Sequence, residues 1–131
     1  MQWKLATPVA AWALFAGVAG ALAQDSSIAI KNGETLEMER LYWVGNCKSI
    51  LKAPPTAEIL DGPPNLSVAV KEANLLPYRQ NCSKTVPGGL LYISAKDVSA
   101  VSTARLVVRV KYVTKDGDRV RDYTYRVTMV P

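Results

Sequence analysis

The sequence predicts an all-β fold: a small immunoglobulin-like β-sandwich of about seven strands carrying one disulfide. Three observations predict it. Short alternating runs of apolar and polar residues are edged by turn signals about every 8 to 12 residues, among them Asn32-Gly33, Asp61-Gly62 and Asp116-Gly117. No stretch of the mature chain sustains a helical period with caps at both ends. Two cysteines stand in a folded part of about 100 residues. A small closed β-barrel is the alternative arrangement. In antibody-type domains a Trp lies between the two cysteines, whereas Trp43 precedes Cys47 and no Trp follows it. The expectation therefore concerns architecture and not membership of the immunoglobulin family.

The chain opens with a cationic "MQWK", an apolar "LATPVAAWALFAGVAG" and a small-residue "ALA". This is the layout of a secretory signal peptide, with cleavage expected after Ala23, so that 1–23 is the leader and 24–131 a single domain. A retained membrane anchor is the competing reading, but the run is short against the roughly 20 apolar residues a spanning helix needs, and Pro8 interrupts it. The expected location is periplasmic or extracellular.

In chain order, "SIAIKNGETLEME" reads as strand, Asn-Gly turn and strand, and "RLYWVGNCKSIL", apolar on both faces, as a buried strand leading into Cys47. "TAEILD" precedes a turn at Asp61-Gly62-Pro63-Pro64. In "LSVAVKEA", Leu66, Val68 and Val70 point one way and Ser67, Ala69 and Lys71 the other. "PGGLLYISAKD" opens as a strand after a Pro-Gly-Gly break, and "DVSAVSTA", 97–104, is expected to hold a helical turn. The strongest signal is the C-terminal "ARLVVRVKYVTKDGDRVRDYTYRVTMVP", a hairpin about Asp116-Gly117. With those two residues as the loop, Lys115 faces Asp118, Leu106 opposes Val127, Val108 opposes Tyr125 and Val110 opposes Tyr123, all on one face. The other face pairs Lys111 with Asp122, Arg109 with Thr124 and Val107 with Arg126.

In an exported chain Cys47 and Cys82 are expected to form a disulfide, whose 35-residue span would stabilise the fold by roughly 4 kcal/mol in the chain-entropy picture. A zinc site is the alternative, but two thiols without any His do not make a tetrahedral set. No metal or other cofactor is expected.

The absence of His also removes the Ser-His-Asp and Cys-His arrangements. Ser49-Ile50-Leu51-Lys52 fits S-x-x-K without the companion motifs that give that pattern its chemistry. Glu37 and Glu39 would share one strand face, which reads as a solvated face rather than a glycosidase pair. Asp116-Gly117-Asp118 lacks the spaced acidic ligands of a calcium loop. No enzymatic constellation is complete.

Two surfaces remain as candidates for partner binding. Arg105, Arg109, Lys111 and Arg126 would stand together on the outer face of the C-terminal hairpin, balanced only by Asp122. A solubilising sheet face is the plainer reading of that group. The second is "LLPYRQNCSKTVPGG", where Pro77, Pro87 and the disulfide would hold Tyr78, Arg79 and Gln80 in place. A connection that is merely stapled is the plainer reading there. The full chain carries 16 basic and 11 acidic residues, and loss of 1–23 removes only Lys4, leaving 15 and 11, or +4. This mild excess suits an anionic surface, while export and the absence of Lys/Arg runs interleaved with aromatics speak against nucleic acid.

"EILDGPPNLSVAVKEANLLPYRQNCSKTVPGG", followed by "VVRVKYVTKDGDR" and a final aromatic strand ending in Pro131, resembles a group of small exported proteins of alphaproteobacteria. The resemblance covers most of the mature chain. It implies export, the bacterial envelope and paired cysteines, and it supplies no catalytic residue. The expected function is a non-enzymatic binding module of the envelope that engages a protein or an anionic polymer. The alternative is a periplasmic inhibitor that presents the loop around Arg79 to an envelope hydrolase or protease. Contact with a membrane is expected only through the leader, were it retained.

Overall fold

A computed structural model of the chain describes residues 26–131, so the expected leader and its cut after Ala23 lie outside the described residues. The strands are β1 (Ser26–Lys31), β2 (Thr35–Leu41), β3 (Val44–Gly45), β4 (Lys48–Ser49), β5 (Thr56–Asp61), β6 (Leu66–Leu75), β7 (Val86–Ala95), β8 (Ser102–Thr114) and β9 (Gly117–Val130). A single 3-10 turn, Tyr78–Gln80, lies between β6 and β7.

The most regular alternation in the sequence becomes the β8–β9 ribbon. Its faces are those expected, but its register is not. Thr114 pairs with Gly117, so Leu106 opposes Tyr125, Val108 opposes Tyr123, Val110 opposes Arg121 and Arg109 opposes Asp122. The expected pairing is displaced by two residues, an even number, which leaves every side chain on its predicted face. The cause lies in the turn. Neither Lys115 nor Asp116 adopts positive φ; Gly117 supplies it instead, at +111°. The Thr114 hydroxyl donates to the Gly117 carbonyl at 2.6 Å and accepts from the Asp116 amide at 3.2 Å, closing the turn one residue earlier than an Asp-Gly loop would.

The strands form a four-stranded sheet in the order β1-β9-β8-β5 and a three-stranded sheet in the order β2-β7-β6, with β1 parallel to β9. This is the immunoglobulin-like arrangement of seven principal strands, in which β2-β7-β6 form one layer and β5-β8-β9 the other, and β1 lies on the outer edge of β9. The two sheets face each other and do not close into a barrel. The core is the inner face of each: Ile30, Leu106, Val108, Val110, Tyr125, Val127 and Met129 on one side, and Leu41, Leu66, Leu91, Ile93 and Ala95 on the other. Burial of large aliphatic side chains of this kind contributes about 1.5 to 3 kcal/mol each. The alternation expected in β6 holds, with Leu66, Val68 and Val70 opposite Ala95, Ile93 and Leu91.

Asn32-Gly33 and Asp61–Pro64 do not close hairpins. They carry the chain from one sheet to the other, between β1 and β2 and between β5 and β6. Residues 97–101 show no helical turn, contrary to the expectation for that stretch. They form an irregular segment, with Asp97 at φ +55°, in which Asn32 Oδ1 accepts from the Val98 amide at 3.1 Å and Asn65 Nδ2 donates to the carbonyls of Lys96 and Asp97. Val98 is thereby buried.

"RLYWVGNCKSIL" is likewise not one buried strand. β2 ends at Leu41, and β3 and β4 form a short hairpin about Asn46 and Cys47, whose φ angles are +52° and +60°. Two successive positive angles are what a two-residue hairpin turn requires, and Asn meets that demand better than most residues. Cys47 is bonded to Cys82, with Cα atoms 5.4 Å apart. The bridge does not cross between the sheets. It joins the tip of the β2–β5 connection to the connection between β6 and β7.

β7 includes the Pro-Gly-Gly expected to precede it. A side chain on Gly88 would run into the backbone carbonyl of Leu41, so that position is open only to glycine unless β2 moves. Gly88→Ala is expected to destabilise the domain by about 1 to 3 kcal/mol, as overpacking against an immobile group does. Urea unfolding checks this, and a midpoint equal to the wild type contradicts the close approach.

Candidate functional site

The ribbon of β8 and β9 has strands of 13 and 14 residues, whereas β2, which lies across from it, has seven. The 42–55 connection folds back onto the inner face of the ribbon. Trp43 meets Tyr112 edge-on at 5.0 Å between ring centroids. Leu51 bridges to Thr114, the Lys52 amide donates to the Val113 carbonyl at 2.7 Å, and the Lys115 amide donates to the Ile50 carbonyl at 2.9 Å. Arg121, on the inner face beside Tyr123 and Tyr125, lays its guanidinium 5.0 Å above the Trp43 ring.

β2 contains a bulge. Glu37 pairs with Tyr92 and Glu39 with Leu91, leaving Met38 as the extra residue. Glu37 and Glu39 consequently do not share a face, contrary to the expectation for a regular strand. Glu37 is exposed, while Glu39 turns inward and accepts a 2.8 Å hydrogen bond from the Tyr125 hydroxyl. Burial first, and Glu39 second, pushes the Tyr125 hydroxyl well above its ordinary pKa. Tyr112 is pushed in the same direction by burial and then by the neighbouring Tyr123.

The third wall is the 3-10 turn. Pro77, which precedes it, is buried, and Asn81 ends it at φ +58° with its amide donating to the Tyr78 carbonyl at 3.1 Å. Cys82 then ties the turn to the β3–β4 hairpin. Between these walls lies an open cleft of about 500 Å³. Met38, Glu39 and Arg40 line it from β2, Tyr42, Trp43 and Val44 from the segment after it, Tyr78, Arg79 and Gln80 from the turn, and Arg121 from β9. The Tyr42 hydroxyl reaches Gln80 Oε1 across the cleft at 3.4 Å.

Of the residues singled out in the sequence, Cys47 and Cys82 are bonded, and Tyr78, Arg79 and Gln80 share one wall of the cleft. Arg105, Arg109, Lys111 and Arg126 lie apart from it, on the outer face of the four-stranded sheet. That face is less basic than expected. Arg109 makes a two-pronged pair with Asp122, at 2.8 and 3.0 Å, and also stands opposite Glu58 of β5, so Asp122 is not the only counter-charge. The pair holds the Asp122 carboxyl below its ordinary range and the Arg109 guanidinium above its own. Arg105 and Arg126 face each other directly, an unfavourable pairing of like charges.

Arg40, Tyr42, Trp43 and Arg121 are absent from the sequence-level candidates, and Glu39 figures there only as part of a solvated strand face. Two signals point to them. A disulfide brings its flanking residues together, so the Tyr42-Trp43 pair before Cys47 must approach the turn before Cys82. Arg121 lies on the same strand face as Tyr123 and Tyr125, and an arginine on an inward face marks where the covering layer ends.

Two outcomes test this geometry. Removal of the bridge, by reduction or as Cys47→Ser with Cys82→Ser, is expected to cost roughly 4 kcal/mol in urea unfolding; an unshifted midpoint contradicts the bridge as a constraint. The second concerns alkaline pH. Tyr112 and Tyr125 keep their protons in the folded state where the unfolded chain has begun to lose them, at about 10.0. Their contribution is complete below that pH and declines as pH rises toward the folded-state values. Stability should therefore fall as pH rises above about 10, and less steeply in Tyr125→Phe. An equal slope in the two proteins contradicts the buried hydroxyl.

No helix among the described residues is long and apolar enough to cross a membrane, and the disulfide is compatible with an oxidising, exported location. Comparison with protein-family models, with curated proteins and with solved structures returned no match, so nothing in them bears on the resemblance to exported alphaproteobacterial proteins.

Proposed function

We propose that the chain is a non-catalytic binding module that acts outside the cytoplasm and holds an anionic group of an envelope protein or polymer in the cleft beside the Cys47–Cys82 bridge. One observation carries the reading. Arg40, Arg79 and Arg121 line a single cleft, and among the described residues none of them lies within ion-pair distance of a carboxylate, whereas Arg109 on the outer face does. The guanidinium group is a planar fork suited to two-pronged contact with carboxylate or phosphate. Tyr42, Trp43 and Tyr78 beside these groups add the rigid aromatic surface that recurs where binding energy concentrates. The leader-like first residues support an exported setting, and a chain without His lacks the usual acid-base group of neutral-pH catalysis.

A second reading has its own support. Tyr78 stands 58% exposed next to Arg79 on a turn fixed by Cys82, as an inhibitor's inserted segment would. The concave setting of Arg79 favours reception of a ligand over insertion into a partner's cleft.

Retention of the purified domain on carboxylate- and phosphate-bearing matrices tests the first reading. Binding should weaken as salt rises, and should fall about tenfold in Arg79→Ala, the size of effect a single charged contact gives, with little change in Arg105→Ala combined with Arg126→Ala. Loss confined to the Arg105 and Arg126 variant would move the site to the outer sheet face and overturn the reading.

A further inference from the structure

We infer that the cleft recognises an acidic saccharide, a sugar ring bearing a carboxylate beside its hydroxyls. This rests on the anion-binding reading above and narrows it. The cleft is not uniformly cationic. Glu39 lines it together with Arg79 and Arg121, and its Oε2 is fixed by the Tyr125 hydroxyl at 2.8 Å. A bare anion gains nothing from Glu39 and is repelled by it. A hydroxylated acid offers its carboxylate to the guanidiniums and its hydroxyl protons to Glu39 and to the Gln80 side-chain carbonyl, so that both kinds of group are satisfied by one rigid ring.

The aromatic surface agrees. Arg121 covers the face of Trp43 and Tyr112 packs against it at 5.0 Å between centroids, so its ring is engaged within the protein. Tyr78, 58% exposed, and the half-buried Tyr42 remain to cover the apolar C–H face of a sugar. The volume, about 500 Å³, falls within the range of small-molecule sites, roughly 300 to 1,000 Å³. An extended acidic peptide fits less well. β2, which borders the cleft, is an edge strand, but its bulge at Met38 interrupts the regular backbone edge that a peptide strand would pair with.

The test is an NMR titration of the oxidised protein with trigalacturonate, its neutral counterpart galactotriose, inorganic phosphate and a glutamate-rich peptide. Trigalacturonate is expected to shift the Tyr78, Gln80 and Trp43 resonances and to bind at least about tenfold more tightly than the other three, the margin that one good charged contact supplies. Arg79→Gln should weaken it about tenfold. Glu39→Gln is the sharper variant, since it keeps an acceptor for Tyr125 while removing the charge. It should weaken the saccharide, whereas a simple anion would bind more tightly. Phosphate or the peptide binding as well as trigalacturonate, or tighter binding by Glu39→Gln, overturns the saccharide inference and leaves the anion-binding reading standing. If none of the three anions perturbs the cleft, both fall.

Discussion

The β8–β9 ribbon must bury its inner face. Over Leu106, Val108, Val110, Val127 and Met129 the cover is aliphatic and complete. Tyr112, Tyr123 and Arg121 share that inner face, with Tyr123 opposite Val108 and Arg121 opposite Val110. Aromatic rings and a guanidinium stem tolerate a cover that is partly wet, because each couples an apolar body to a polar end. The covering piece is the 42–55 connection, with Trp43 between Tyr112 and Arg121. The cleft opens beside this connection, where a loop packs on the ribbon.

Two local devices shape that end of the sandwich. The bulge at Met38 turns Glu39 inward to meet Tyr125, so a carboxylate enters the layer between the sheets without being stranded there. The bridge fixes the second wall. A two-residue hairpin with both residues at positive φ and a three-residue 3-10 turn are each too short to hold their own position, and Cys47–Cys82 makes one brace of the two. This differs from the immunoglobulin bridge, which lies inside the core and ties sheet to sheet. Here the core is closed by side chains alone, and the covalent bond serves the periphery.

Much of the fold was legible because it follows from period-two alternation and turn chemistry. Leu66, Val68 and Val70 in β6 and the two faces of β8–β9 are where alternation places them. The hairpin register escaped because Asp-Gly can serve either as the whole loop or as its last part, and only the Thr114 hydroxyl decides between the two. The bulge at Met38 is equally silent, since Glu37 and Glu39 in isolation read as one polar face. Residues 97–101 look helical in composition, yet they form an irregular segment bonded to Asn32 and Asn65, which are distant in sequence. The candidate site divides in the same way. Tyr78, Arg79 and Gln80 stand out beside their cysteine, while Arg40, Trp43 and Arg121 acquire meaning only once the bridge and the 42–55 connection bring them to the same cleft.

The central claim is that the bridge organises the cleft without organising the core. Inter-residue NOEs measured in the oxidised protein and in the double Cys→Ser variant, under conditions where both are folded, test it most directly. The account predicts contacts of the Trp43 indole with Tyr112 and of Tyr42 with Gln80 in the oxidised form, loss of the Tyr42–Gln80 contact in the variant, and unchanged contacts among Leu91, Ile93, Val108 and Tyr125 in both. Persistence of the Tyr42–Gln80 contact without the bridge, or rearrangement of the core in its absence, would contradict it.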